Sequence, residues 1–218
     1  ELLKQGLILC PCTARGGSLR PAYYDPLEAV LKEQGLHPAQ VPFMAATRNG
    51  AIIEYPFRSE VISDTPLTSA VTEALLIHPL VSALEILTPR ELHRRWQELY
   101  RDLELEGIHA DPRSGKYPAL FLDRHRNGCQ YKITMYYKQQ GIYSAIEDED
   151  GDQTSVAARK LLHYCGDAAP KDAIAMAEVL QRVLTQAGLP VAVSGSRSDP
   201  FIDITAAGVD KSRAFPEV

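Results

Sequence analysis

The sequence predicts an α/β protein in which a domain built on a parallel sheet receives an inserted α+β module. Three observations support this fold class. Residues 1–55 alternate between helical and strand-like segments, an order typical of parallel α/β sheets. Residues 118–146 alternate like antiparallel strands around an Asn-Gly pair, which is a hairpin signal. Residues 189–205 predict a second hairpin after an amphipathic helix.

The first 55 residues supply the predicted parallel sheet. Short apolar runs bounded by turn residues favour buried strands, and Asp25-Pro26 followed by apolar periodicity and a final Gly35 favours a helix. In chain order the predicted elements are the end of a helix at 1–6, a buried strand at 7–12, a helix at 25–35, a buried strand at 41–47, a turn at 48–50 and a strand at 51–55.

The middle of the chain supplies the inserted module. Helical periodicity predicts helices, and residue alternation predicts strands on either side of turn residues. The predicted elements are helices at 66–84, 89–106 and 171–187, antiparallel β-structure at 118–146 and a closing hairpin at 189–205. An acidic loop, EDEDGDQ, follows the β-structure.

Composition limits the classes of function. The 218 residues carry a net charge of −5, with 45% hydrophobic and 23% charged residues. This balance predicts a globular protein with a substantial core. It disfavours a general nucleic-acid binder, because no basic excess is available to displace counterions. No apolar run approaches the roughly 20 residues of a membrane span, so we expect no membrane partner.

The cysteines and the N-terminus indicate the compartment. Cys10, Cys12, Cys129 and Cys165 include no C-x-x-C pair, which favours reduced thiols and a cytoplasmic protein. The first ten residues lack the pattern of a secretory leader. Because the chain starts with Glu1 instead of Met, we expect it to begin inside a longer protein.

Polar residues follow two of the predicted strands. Thr13 and Arg15 come directly after the strand at 7–12, where ligand sites of open α/β sheets lie. A hydroxyl and the N–H groups of a small-residue turn can hold a phosphate oxygen, although an ordinary strand-to-helix loop has the same composition. Asn49 and Gly50 follow the strand at 41–47, where a plain turn is the alternative interpretation.

Lys211 follows a glycine turn and stands at the start of a predicted helix. The helix dipole does not favour a cation at that end, so a structural role explains the lysine less well than usual. A lysine near a phosphate and an aspartate would neutralise charge on both. The alternative interpretation is a solvated surface lysine.

Other sequence patterns give weaker evidence for a functional site. The acidic loop with Asp148, Asp150 and Asp152 offers oxygen ligands for a hard cation, but it lacks the Gly and Glu of an EF-hand, and a solvated loop is the alternative. The histidines show no metal-ligand spacing, so the sequence leaves any metal ligands undefined. Ser194-Gly195-Ser196 does not match the nucleophile elbow of a serine hydrolase.

Several stretches match one family in order along the chain. They are GLILCPCTARGG at 6–17, FMAATRNGAIIEY at 43–55, YKITMYY at 131–137 and LTQAGLPVAVSGSRSDPFIDITAAGVDKSRAF at 184–215. Together they resemble the haloacid-dehalogenase-like phosphatases, in the large-cap subgroup of Cof-type sugar phosphatases and sucrose-phosphate phosphatase. The first stretch is similar to the family's second motif, with Ala14 where Gly is usual, and the last ends in the third-motif lysine.

The resemblance implies a fold and an activity. It implies a partial Rossmann-like core at 1–58, an α+β cap at 59–203 and a return to the core at 204–218. The implied enzyme is a Mg²⁺-dependent phosphomonoester hydrolase that acts on a small phosphorylated metabolite, most plausibly a sugar phosphate, through an aspartyl-phosphate intermediate.

The resemblance also implies roles for single residues. Thr13 and Lys211 would be catalytic, Thr13 on the transferring phosphoryl group and Lys211 on the phosphate and the nucleophilic aspartate. Arg15, Asn49, Gly50 and Lys132 would bind substrate.

The chain departs from the family at both ends. The family's nucleophile segment would precede Glu1 and its magnesium carboxylates would follow Val218, so we expect both beyond this stretch. DEDGDQT at 148–154 and CGDAAPKD at 165–172 imitate those motifs, but the short spacing between them leaves no room for a crossover helix and strand. If the chain is whole, the alternative is a non-catalytic protein that binds a phosphorylated ligand or a partner protein.

Overall fold

The computed structural model is a mixed α/β structure with two small sheets and helices packed against them. It describes residue 5 and residues 7–14, 19–87, 108–109, 120–124, 129–147, 153–166, 168–197 and 200–215. The predicted helix end at 1–6, the predicted helix at 89–106, Arg15 and the acidic loop at 148–152 therefore lie wholly or almost wholly outside the described residues.

Strands form one sheet near the N-terminus and one in the second half of the chain. The first is three-stranded, with β1 (Ala45–Thr47), β2 (Ile52–Tyr55) and β3 (Glu60–Asp64) in sequence order. The second is five-stranded, in the order β4-β5-β6-β8-β7, and contains β4 (Ile108–His109), β5 (Leu120–Arg124), β6 (Gln130–Tyr136), β7 (Val191–Gly195) and β8 (Phe201–Ala206). All ladders between these named strands are antiparallel.

The α-helices lie before and between groups of consecutive strands. The described α-helices are α1 (Asp25–Glu33), α2 (Ser69–Ile77), α3 (Pro79–Leu87), α4 (Gln139–Glu147), α5 (Gln153–Cys165) and α6 (Ala173–Gln186). In α6 the sequence explains both the start and the buried face. The Asp172 carboxylate accepts a hydrogen bond from the Ala175 N–H at 2.9 Å, and the apolar side of the helix is buried through Met176, Leu180 and Leu184.

Parallel pairing occurs between residues 7–13 and the segment that leads into β1. Leu9 pairs with Phe43 and Cys12 pairs with Ala46 as isolated parallel bridges. The prediction of a fully buried strand at 7–12 is wrong, because the Leu7 and Ile8 side chains are 49% and 64% exposed. The predicted strand at 41–47 is confirmed in its C-terminal half, since all three residues of β1 are buried.

One large apolar core joins the five-stranded sheet to the helices that follow β3. Its members come from α2–α6, β6, β7 and β8, and include Leu75, Leu84, Ile133, Met135, Leu161, Leu180, Ile202 and Ile204. The N-terminal part has smaller clusters instead. Leu31, Phe43 and Ala45 belong to one of them, which packs α1 against β1.

Two sequence predictions after β3 differ from the structure, and one helix there was not predicted. The predicted helix at 66–84 is two helices, because the chain breaks at His78, directly before Pro79. Residues 139–147, predicted as β-structure, form α4. Helix α5 was not predicted, since polar residues precede its apolar positions.

By length and composition, no individual helix within the described ranges could cross a membrane. The pair α2 and α3 would pass the same test if taken together, but the pair is bent by 62° at His78. Leu75, Leu80 and Leu84 of this pair are buried in the large core.

Candidate functional site

The end of the segment 7–13 is tied by backbone hydrogen bonds to the turn that follows β1. The Thr13 N–H donates to the Ala46 carbonyl at 2.9 Å, and the Asn49 N–H donates to the Thr13 carbonyl at 3.0 Å. Two of the sequence-predicted positions, Thr13 and Asn49, are therefore neighbours. They lie where a strand ends and the next turn begins, which is where backbone groups of α/β sheets become available to a ligand.

The turn Arg48–Gly50 has an unusual backbone. Arg48, Asn49 and Gly50 have φ angles of 51°, 60° and 89°. Left-handed backbone costs a non-glycine residue roughly 1–2 kcal/mol, so Arg48 and Asn49 keep it only because their surroundings fix it. The Arg48 side chain is buried, at 5% exposure. A strained turn held in place in this way is typical of binding sites.

Gly50 brings the Lys211 segment against this turn. A Cβ atom at Gly50 would lie 2.0 Å from the Asp210 carbonyl oxygen. Any other residue at this position would therefore displace one of the two backbone segments. The Arg213 guanidinium donates to the Gly50 carbonyl at 3.0 Å and to the Ser63 hydroxyl at 3.2 Å. Residues 210–213 are thus fastened to the turn beside Thr13.

Lys211 begins a short 3₁₀ helix, Lys211–Ala214, as the sequence predicted for this position. The Asp210 carboxylate caps it by accepting hydrogen bonds from the Ser212 N–H, at 2.6 Å, and the Ser212 hydroxyl. These hydrogen bonds lower the pKa of Asp210, since they favour the ionised carboxylate. Lys211 is exposed and the cap holds its backbone in place.

A second group of polar side chains joins the residues around Thr13 and Asn49 to the five-stranded sheet. The Lys132 ammonium, on β6, donates to the Ala14 carbonyl at 3.0 Å and lies 3.4 Å from the Asp203 carboxylate on β8. The Asn49 side-chain amide donates to Asp203 at 2.9 Å, and the Thr134 hydroxyl donates to it at 2.6 Å. We call Asn49, Lys132, Thr134 and Asp203 the Asp203 cluster.

The strand pattern explains how the cluster forms. Along β6, Lys132 and Thr134 alternate with Ile133 and Met135, which are 0% exposed in the large core. Thr134 stands opposite Asp203 in the β6–β8 ladder. Both faces of β6 are buried, because the polar face points to the loop at Ala14 instead of to solvent.

The structure brings most of the sequence-predicted site residues together. Thr13, Asn49, Gly50, Lys132 and the segment of Lys211 form a connected set of contacts. Arg15 lies outside the described residues, and the roles of all six residues stay predictions. Sequence reasoning missed Asp203 and Arg213. The signal for Asp203 was a charged residue between two isoleucines in a strand, and Arg213 gave no signal.

The described residues contain no cluster of side chains that could serve as a metal site. Among the residues that the structure describes, no three His, Cys, Asp or Glu side chains approach closely enough to hold a metal ion. The magnesium carboxylates that the resemblance implies would follow Val218, so the described residues do not test that prediction.

The Cys10 thiol at the start of the site is a poor nucleophile near neutral pH. Burial, with the neighbouring Cys12 as a second cause, raises the pKa of the Cys10 thiol to about 11. A thiol with that pKa stays protonated near neutral pH and is a poor nucleophile. The Cys12 thiol donates to the Cys10 carbonyl at 3.6 Å.

Comparison with known proteins gives only distant likenesses. No protein-family model and no curated protein matches the sequence. Among solved structures, a haloacid dehalogenase-like hydrolase from Bacteroides thetaiotaomicron is similar over 98% of this chain and 63% of its own, with 13% identity and a TM-score of 0.49. The protein SMU.1108c from Streptococcus mutans UA159 is similar over 98% of this chain and 62% of its own, with 10% identity and a TM-score of 0.43. The chain thus spans less than two thirds of either protein, and at these TM-scores we draw no conclusion about its family.

Proposed function

We propose that the chain is the phosphate-holding part of a haloacid-dehalogenase-like phosphomonoester hydrolase that acts on a small phosphorylated metabolite, in particular a sugar phosphate. One observation carries the proposal. Two segments that are far apart in the sequence meet the same turn where the segment 7–13 ends: Asn49 hydrogen-bonds to Thr13, and Gly50 lies against the backbone of Asp210 and Lys211. The motif resemblance names these same positions.

The proposed binding mode uses one hydroxyl, one turn and one cation. The Thr13 hydroxyl and nearby backbone N–H groups bind phosphate oxygens, as strand-end loops do in other α/β proteins. Lys211 supplies a positive charge beside them. Charge stabilisation of this kind is the main protein contribution to phosphoryl transfer.

The five-stranded sheet and its helices serve as the cap in this proposal. Lys132, which extends from β6 to the Ala14 carbonyl, supports it because this contact spans the two parts. A cap beside Ala14 covers the phosphate and recognises the rest of the metabolite by contacting it. The same proposal includes a Rossmann-like core at 1–58 and 204–218 and a cap at 59–203. It also includes the Cof-type subgroup and a cytoplasmic location.

No bond-making step is assigned to the described carboxylates. Asp203 is engaged by three side chains, and Asp210 caps a helix. In the proposed enzyme an aspartate outside the described residues would attack phosphorus, and a magnesium ion, when bound, would supply positive charge at the phosphate. Since the described residues do not form a metal site, we derive no step through that ion.

The direct test is hydrolysis of p-nitrophenyl phosphate by the full-length protein, with and without Mg²⁺. We expect magnesium-dependent turnover, and a drop in kcat of roughly 100-fold for Lys211→Ala, comparable with the loss of one strong electrostatic stabiliser. Lys171→Ala, which changes an exposed lysine elsewhere, is the matched control. A drop below threefold for Lys211→Ala would argue against its role.

A binding measurement separates the enzyme from its alternative. Thr13→Ala is expected to weaken the binding of inorganic phosphate or tungstate, and Thr185→Ala on the exposed side of α6 is the control. Phosphate binding without turnover in the full-length protein would support the non-catalytic alternative. Absence of both would contradict the proposed function in either form.

A further inference from the structure

We propose that Asp203 is a positioning residue of the phosphate site: its carboxylate holds the Asn49 amide and the Lys132 ammonium in the orientation that a bound phosphate requires. This inference rests on the proposed function, because that function assigns both side chains to the ligand. None of the motifs that suggested the function includes a role for Asp203.

The contacts of Asp203 divide between the two parts of the molecule. Its Oδ2 accepts from Asn49, which follows β1, and its Oδ1 accepts from Thr134 and faces Lys132, both on β6. The side chains of Lys132 and Asp203 are only 7% and 15% exposed. Charge-assisted hydrogen bonds are strong where water is largely excluded. One carboxylate therefore fixes the turn of Asn49 relative to the five-stranded sheet.

The other contact of Lys132 is the one that a ligand can replace. The ammonium donates to the carbonyl of Ala14, the residue after Thr13. A neutral carbonyl is a weaker acceptor for an ammonium than a phosphate oxygen is. A phosphate beside Thr13 therefore takes over this donor, while Asp203 retains the ammonium in place.

Charge and orientation have opposite consequences, which makes the role measurable. If Asp203 acted only as a negative charge near the site, its removal would tighten anion binding, because like charges repel. If Asp203 orients Lys132 and Asn49, its removal weakens anion binding in spite of the relieved repulsion. The direction of the change decides between the two.

The experiment is a calorimetric titration of the full-length protein with inorganic phosphate at neutral pH. Asp203→Asn is expected to weaken binding roughly 10-fold or more, the size of one or two lost hydrogen bonds to charged groups. Asp203→Glu keeps the charge and moves it by one methylene, so it is expected to weaken binding too. Asp25→Asn makes the same chemical change at an exposed ion pair and is expected to leave binding unchanged.

A spectroscopic signal reports on the lysine directly. In protein with ¹⁵N-labelled lysine, the Nζ signal that disappears in Lys132→Met is that of Lys132. We expect phosphate to shift this signal in the wild type, since Lys132 exchanges its acceptor. In Asp203→Asn we expect the signal to broaden or disappear, a change that a loss of stability alone does not produce in a folded protein.

Each result decides. Wild-type binding with unchanged or tighter binding in Asp203→Asn overturns the positioning role and leaves the proposed function standing. No phosphate binding by the wild type overturns both. If Asp203→Asn does not fold, Thr134→Val removes one donor to Asp203 and alters no charge, and it is expected to weaken binding about threefold. An unchanged affinity in Thr134→Val then overturns the proposal.

Discussion

The five-stranded sheet with its helices and the N-terminal part around β1 are built in different ways. The five-stranded sheet and its helices bury one continuous apolar core that includes residues of five helices and three strands. The N-terminal part has small separate apolar clusters, such as the one formed by Ala46, Ile53 and Ala214. Its contacts with the rest combine polar groups, notably Asn49 and Lys132, with a small apolar cluster of Ala51, Ile52, Tyr131 and Val209.

Under the proposed function, this difference places stability mainly in one part and recognition in the other. A continuous core contributes free energy through apolar burial, which tolerates few polar groups. The contacts between the two parts, which we call the polar junction, include buried polar groups and a turn with left-handed backbone. Buried polar groups lower stability unless their hydrogen bonds are satisfied, and left-handed backbone lowers it unless the surroundings fix it. A molecule can carry such a junction when the folding free energy comes mainly from elsewhere. The predictions below test that division.

The largest effect is expected in the large core. Leu180 on α6 is 0% exposed, so Leu180→Ala leaves a cavity and is expected to lower the free energy of unfolding by about 3 kcal/mol. Val156→Ala on α5, at a side chain that is 46% exposed, is the control and is expected to change it by less than about 0.5 kcal/mol. Urea unfolding measures both. Equal effects of the two changes would contradict the core described above.

The next effect concerns the contact between the turn and the Lys211 segment. Gly50→Ala introduces a Cβ atom against the Asp210 carbonyl at a φ of 89°, and we expect a loss of roughly 2–3 kcal/mol together with weaker phosphate binding. Gly188→Ala has a similar φ of 73° but nothing within 4 Å of the added atom, so we expect a loss of about 1 kcal/mol. The difference measures the close approach, and equal losses would disprove it.

Two aspartate helix caps with similar backbone angles compare the two parts directly. Asp172 and Asp210 cap α6 and the 3₁₀ helix with nearly identical backbone angles, φ −150° and −151°. Asp172→Ala is expected to cost about 1 kcal/mol of stability without affecting phosphate binding. Asp210→Ala is expected to cost less stability but to weaken phosphate binding, because it releases the backbone of Lys211. A reversed pattern in denaturant and phosphate titrations would refute the division.

The smallest effect is a pH dependence within the large-core part. Burial lowers the pKa of His78, whose Nδ1 accepts a hydrogen bond from the Leu80 N–H at 3.2 Å. Below the ordinary histidine pKa the unfolded chain therefore binds a proton that the folded chain resists, so stability falls as the pH falls through that range. His78→Asn keeps an acceptor that does not titrate. Urea midpoints at pH 5 and pH 8 are expected to differ more in the wild type than in His78→Asn, and equal differences would exclude this role.

The sequence predicted local elements better than contacts. Helix α6 and strands β6 and β8 follow their apolar patterns closely, and the start of the short helix at Lys211 was predicted from the preceding glycine turn. Helix α4 was predicted as part of the β-structure at 118–146, because the alternating residues 131–137 lie just before it. Burial of Ile142 in the large core determines its place, and that is a tertiary effect.

The site was predictable only in part, for a physical reason. Thr13, Asn49 and Lys211 stand next to strand ends or turns, so their positions carry a local signal. Asp203 acquires its partners from residues 69 and 154 positions away, and no local pattern reports such contacts. Its neighbours in the chain, Ile202 and Ile204, indicated only a buried strand.

Strand β8 limits how this protein can change in evolution. Ile202 and Ile204 lie in the apolar core, whereas Asp203, between them, contacts the polar junction. A one-residue insertion or deletion within β8 would exchange the two faces, placing a carboxylate in the hydrocarbon interior and an isoleucine beside Lys132. We therefore expect homologous chains to vary this strand by replacement alone, and to accept changes of length only in the loops on either side.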